Sequence, residues 1–124
     1  MEAPITATPQ PKPQKVQIIG ILMIVSGAVN ISLGLGLMIG LALSLVLICC
    51  APLGALPLAM GVYEIIYGIR LVGSGQEPVT RQNVQTIAIL EIVTILVSNL
   101  VSCIIGIVNL VLLNDSEVTG YFQK

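Results

Sequence analysis

In a chain that is otherwise almost wholly apolar, the side chains able to do chemistry are Glu64, Glu91, Asn30 and Asn99. All lie inside long apolar runs, where an ionisable group is costly and faces protein or water rather than lipid. Glu64 stands six residues before Arg70, and Glu91 ten residues after Arg81. If those arginines mark one membrane boundary, both carboxyls lie in the same half of the bilayer at similar depth. Two such carboxyls can share a proton or hold a cation, which makes Glu64, Glu91, Asn30 and Asn99 a candidate ion or proton site. The simpler expectation puts both carboxylates at the headgroup boundary, hydrated or bonded to Tyr63 or Tyr67. Asn30 and Asn99 then serve as hydrogen-bonding glue between helices near mid-membrane, with Asn109 toward the outer end.

No catalytic constellation accompanies these groups. The chain has no histidine, and with it go the commonest metal ligand and the usual general base near neutral pH. Serines occur without a base other than the two glutamates. Gly34-Leu35-Gly36 lies in a continuous apolar run, without the strand, lysine and helix start that phosphate binding needs. Cys49, Cys50 and Cys103 show no CxxC spacing and read as apolar packing residues. The expected protein is not an enzyme and takes no cofactor or metal. A net charge of −1 with five scattered basic residues gives no footprint for nucleic acid.

Apolar residues make up 56% of the 124 residues and charged residues 9%, against about 25% charged in a soluble domain. A chain this short has too little interior to hide so much apolar surface, so a bilayer must be its solvent. Residues 1–15, with Pro4, Pro9, Pro11 and Pro13, read as a Pro-rich cytoplasmic tail rather than a signal peptide. Residues 16–113 read as a transmembrane helical domain, and 114–124 as a short C-terminal surface tail. A span needs about 20 residues, and Pro52 and Gly54 break the first apolar run. The expected architecture is thus all-α: a polytopic transmembrane helix bundle of about three spans, at 16–49, 53–72 and 84–113. Lys12, Lys15, Arg70 and Arg81 then share the cytoplasmic side and only Lys124 lies outside, as the positive-inside rule asks. A fourth span would put Arg70 and Arg81 outside. The first and third spans, about 45–50 Å long as straight helices, exceed the hydrocarbon thickness, so a kink or re-entrant turn is expected between Gly34 and Gly54.

Small residues recur on fixed helix faces. Gly20, Gly27 and Gly34 are spaced by seven, as are Gly54, Gly61 and Gly68, and a seven-residue step returns to nearly the same face. Gly36 and Gly40 add a GxxxG pair; Ser98, Ser102 and Gly106 follow at four-residue steps. Such faces let helix backbones approach closely where no hydrophobic force operates. They serve packing within one subunit or against another; three helices have few ways to bury all of them, which favours an oligomer or a larger complex. An internal echo aligns residues 17–26 with 85–94, identical at six of ten positions. It predicts similar, parallel environments for the first and third helices, unlike an inverted transporter repeat.

The stretch Ile19-Gly20 through Asn30-Ile31-Ser32-Leu33-Gly34, with Pro52-Leu53-Gly54 and Gly61 through Gly68 (GVYEIIYG), resembles CD20-like tetraspan proteins over the first two spans. With no fourth span in this reading, no residue role is carried over. The chain also resembles small multi-pass proteins of bacterial inner membranes, which implies a bacterial cytoplasmic membrane with the N-terminus cytoplasmic. The function expected is a non-catalytic membrane protein whose partners are the lipid bilayer and copies of itself or other membrane subunits. The alternative is a small proton or cation channel using Glu64 and Glu91.

Overall fold

The computed structural model describes residues 11–44, 49, 53–73, 79–93 and 100–123. Among these the chain is all-helical: α1 (Gln14–Leu43), α2 (Ala55–Val72), α3 (Arg81–Val93), α4 (Leu100–Leu113) and α5 (Ser116–Phe122). By length and composition α1 and α2 can each cross a membrane, and α4 with α5 forms a third candidate bent by 79°. The surface agrees. Ile21, Val25, Leu56, Ile69, Ile104 and Val111 are exposed on the outer faces, while Asn30, Glu64 and Glu91 are completely buried. That inverts the soluble arrangement and suits a lipid solvent. The protein is an integral membrane protein of helical-bundle class.

α1 and α2 form an antiparallel hairpin held by their glycine faces. A Cβ added at Gly27 would lie 2.6 Å from the Gly61 carbonyl oxygen, and one at Gly34 2.8 Å from that of Gly54. At the other end Gly20 rests on the Gly68 carbonyl. The backbones approach too closely for any side chain. α1 ends at Leu43, short of the expected 49, and runs as one α-helix through Gly34, Gly36 and Gly40; residues 45–48 and 50–52, in the stretch where a kink or re-entrant turn was expected, lie outside the described residues. Gly34 is an interlocking position instead.

The run 84–113 is not one span. A Cβ at Gly106 would lie 2.7 Å from the Ala88 carbonyl oxygen, whereas a straight helix would separate those residues by about 27 Å. Arg81, opening α3, donates to the Leu113 carbonyl that closes α4, at 3.3 Å. α3 and α4 are thus a second antiparallel hairpin, and α4 also packs on α1. The extra break falls in the second apolar run, so Arg70 and Arg81 stay at the same end as Lys12 and Lys15. The conflict expected of a fourth segment does not arise. The echo is also visible in the packing: Val16 and Val84, Ile19 and Ile87, Gly20 and Ala88, Met23 and Glu91 are aligned pairs, and all are buried.

All four helix ends at the basic side are tied. Lys12 Nζ donates to the Leu71 and Gly73 carbonyls at the C-terminus of α2, both at 2.6 Å, a favourable place for a cation. The C-terminal segment is not a surface tail. α5 docks here, with Val118 fully buried in an apolar cluster of Val16, Ile19, Met23, Leu71, Val84, Ile87 and Leu113. α5 therefore lies at the basic end; Lys124, expected on the opposite side, is outside the described residues. Lys15 Nζ meets Asp115 Oδ2 at 2.7 Å and Glu117 Oε2 at 3.3 Å. Asp115 also caps α5 by accepting the Glu117 N–H at 3.0 Å. The hydrogen bond from Lys15 is the main cause that holds the Asp115 carboxyl below its ordinary 3.8. A carboxyl with a lowered folded value contributes stability above its unfolded value and loses it as pH falls through the lowered one. Docking of α5 should accordingly weaken below about pH 4 and with added salt, modestly, because the pair is exposed. Hydrogen exchange at residues 116–122 across pH 3–6 checks this: protection should fall with acid in the natural chain and fall less in Asp115→Asn, where only the Lys15–Glu117 pair remains.

Candidate functional site: a buried polar layer

The two hairpins bring one polar layer together in the middle of the bundle. α1 supplies Ser26 and Asn30, α2 Glu64, α3 Glu91, and α4 Ser102 and Asn109. Each is at most 1% exposed. Counted from Lys15, the Gly27 level of α1 lies about 18 Å along the helix, well inside a hydrocarbon core about 30 Å thick.

The connections run across helices. Asn30 Nδ2 donates to both carboxyl oxygens of Glu64, at 2.8 and 2.9 Å. Ser102 Oγ donates to Asn30 Oδ1 at 3.0 Å, and the Ser26 and Ser102 hydroxyls are 3.0 Å apart. Glu91 of α3 and Asn109 of α4 complete the layer, both buried. Gly106 makes room for Glu91: a Cβ there would sit 2.8 Å from the Glu91 Cβ. The layer thus holds two carboxyls, two amides and two hydroxyls among the described residues. Lys12, Lys15 and Arg81 are engaged at the basic end, and Arg70 lies over the Tyr67 ring.

Several expectations change. Both carboxyls are buried within the bundle, and Glu64 bonds to Asn30 rather than to a tyrosine. Tyr63 is exposed and stacks with Tyr67, ring centroids 6.1 Å apart. Asn109 is a core residue on the basic side of the layer, because α4 runs back toward Arg81. Asn99 and Ser98 lie outside the described residues. Of the residues first assigned to packing, Gly20, Gly27, Gly34, Gly54, Gly61, Gly68 and Gly106 all make close contacts inside the chain, whereas Gly36 and Gly40 have nothing within 4 Å. Ser102 carries hydrogen bonds rather than a bare packing face. Ser26 and Asn109 were not foreseen as site members. Their signal was spacing: Ser26 stands four before Asn30, and Ser102, Gly106 and Asn109 share one face at i, i+4 and i+7.

An oxygen-only set of carboxyl, amide and hydroxyl groups suits a proton or a hard cation, not a soft metal. Among the described residues no cluster of three or more His, Cys, Asp or Glu side chains gathers. The Asn30–Glu64 pair gives a direct test of how the layer is held. Removing one partner leaves a buried group unsatisfied, at about 1–3 kcal/mol, whereas replacing both by apolar groups can be nearly neutral. Asn30→Leu should therefore lower the unfolding midpoint in detergent, and the double variant Asn30→Leu/Glu64→Leu should recover much of the loss. Strictly additive losses would show that the two side chains do not depend on each other.

Comparison with protein families, with curated proteins and with solved structures finds no match to this chain.

Proposed function

We propose that this chain is a non-catalytic membrane protein that works by lateral association, as a homo-oligomer or as an accessory subunit of a larger membrane assembly. The observation that carries this reading is the division of labour among the α1 glycines. Gly20, Gly27 and Gly34 are consumed by α2, while Gly36 and Gly40 are bare and line an open groove with Ser32, Leu33, Leu37 and Leu41. Ser32, Gly36 and Gly40 at four-residue steps form a second small-residue face, the kind membrane helices use against one another. Clustering of Lys12, Lys15, Arg70 and Arg81 at one end supports a cytoplasmic location for that end.

The variants separate the two glycine sets. Gly36→Ile and Gly40→Ile should abolish association on a native gel while leaving the unfolding midpoint of the monomer unchanged. Gly27→Leu and Gly61→Leu should instead destabilise the hairpin itself, by at least the 1–3 kcal/mol of ordinary overpacking. Association that survives both outer substitutions would remove this face from the proposal.

A second reading rests on the polar layer: a proton or cation site formed by Glu64 and Glu91. Two carboxyls buried in one layer of a bundle core suit a bound proton or cation. Vesicles bearing the purified chain should then show a proton or alkali-cation flux that Glu64→Gln or Glu91→Gln suppresses about tenfold or more, the loss expected when about 1.4 kcal/mol of site stabilisation is removed. A flux indifferent to both substitutions, or none in the natural chain, would sink the channel reading.

A further inference from the structure

The two acids of the polar layer stand in the same local frame, built once in each hairpin. On α1 Gly27 is followed three residues later by Asn30, and on the facing helix Gly61 is followed three residues later by Glu64. On α4 Gly106 is followed three residues later by Asn109, and on the facing helix Ala88 is followed three residues later by Glu91. The contacts match as well. A Cβ at Gly27 would lie 2.6 Å from the Gly61 carbonyl oxygen and 3.1 Å from the Glu64 Cβ; one at Gly106 would lie 2.7 Å from the Ala88 carbonyl oxygen and 2.8 Å from the Glu91 Cβ. Each hairpin thus carries an asparagine one turn beyond a glycine, offered to a glutamate one turn beyond the small residue on which that glycine rests. Side chains lean toward the N-terminus of their own helix, so in each antiparallel pair the amide and the carboxyl lean toward each other.

The two copies differ in how their amides are used. In the first hairpin the amide is fully engaged: Asn30 Nδ2 donates to both oxygens of Glu64, and Oδ1 accepts from Ser102. The reverse orientation would set the amide oxygen against two carboxyl oxygens, so the network fixes which end is which. A carboxyl that accepts at both oxygens is held as a carboxylate. In the second hairpin Asn109 is only 1% exposed, yet among the described residues neither its Nδ2 nor its Oδ1 has a hydrogen-bond partner. A buried amide in that state is costly in an apolar core, and it calls for a group that accepts from it and donates to it at once. An alkali cation would engage the oxygen alone. A protonated carboxyl does both: its O–H donates to Oδ1 while its C=O accepts from Nδ2. Gly106 leaves space for such a carboxyl beside α4, since a Cβ there would lie 3.1 Å from Glu91 Oε2. The other titratable side chains buried in this part of the bundle are Glu64 and Cys103, while Lys12, Lys15 and Arg81 are bonded at the basic end. We infer that the layer takes its proton on Glu91, with Asn109 as the positioning residue that holds the carboxylic acid, whereas Glu64 is a fixed carboxylate clamped by Asn30. This rests on the reading of the layer as a proton or cation site, and it names the proton as the ligand.

The test is infrared spectroscopy of the full chain in phospholipid vesicles at neutral pH, which reads the carbonyl band of a protonated carboxyl without relying on transport. One such band is expected. It should disappear in Glu91→Gln and persist in Glu64→Gln. In Asn109→Leu it should persist but move to higher frequency, because the C=O loses a hydrogen bond; a purely structural role for Asn109 would leave the frequency where it was. If Glu91→Gln does not fold, the persistence of the band in Glu64→Gln and its shift in Asn109→Leu decide. A band that follows Glu64 instead, a band unmoved by Asn109→Leu, or no band in the natural chain would each overturn the assignment. In the last case an unfolding midpoint higher in sodium chloride than in choline chloride would give the site to an alkali cation. A Glu91 band in a chain that passes no protons would support this assignment and sink the channel reading alone.

Discussion

The register between α1 and α2 decides what can meet inside this bundle, and glycine fixes that register. At Gly27 and Gly61 each helix places a carbonyl oxygen where the other would carry a Cβ, so neither helix can slide or rotate without a clash. Residues opposite one another then sum to a constant: 20 with 68, 27 with 61, 34 with 54. Asn30 and Glu64 are not directly opposite in this frame. Side chains lean toward the N-terminus of their own helix, and in an antiparallel pair the two lean toward each other. That is how the Asn30 amide reaches both oxygens of Glu64. Without the glycine contact the carboxyl would be buried with no donor, which the bilayer penalises more heavily than any lost packing.

The second hairpin repeats this design with one substitution that matters. Positions buried in α1 recur in α3 as Val84, Ile87 and Ala88, but Met23 is matched by Glu91. A core methionine in one hairpin is thus a core acid in the other. Gly106 of α4 yields the space, as Gly68 does beside Gly20. Both hairpins start and finish at the basic end, so they are related by an axis along the membrane normal rather than by inversion, consistent with a parallel repeat.

Much of this was legible from residue types. The glycine stripes, the two acids, the break near Pro52 and Gly54 and the parallel echo each follow from spacing. The break within 84–113 did not, because residues 94–99 (TILVSN) contain neither Gly nor Pro, and hydropathy alone reads through them. α5 was also readable in principle: Asp115 is a helix cap, and Val118 and Phe122 are one turn apart. Its polarity made it look like tail, since its burial depends on a partner surface built by four other helices. The pairing of Ser102 with Asn30 needed three-dimensional register that no spacing rule contains.

The distribution of charge links these parts. Lys12 and Arg81 sit on the carbonyls that end α2 and α4, where cations complement the helix dipole, and Lys15 secures α5 through Asp115. The same side chains that orient a membrane protein by their positive charge thus close the basic end of this one. Their engagement has a cost elsewhere. With Lys12, Lys15 and Arg81 held at one end, none reaches Glu64 or Glu91, and the apolar cluster around Met23 and Leu71 lies between them. The two core acids thus sit in a layer of amide and hydroxyl groups, apart from the cations that close the basic end.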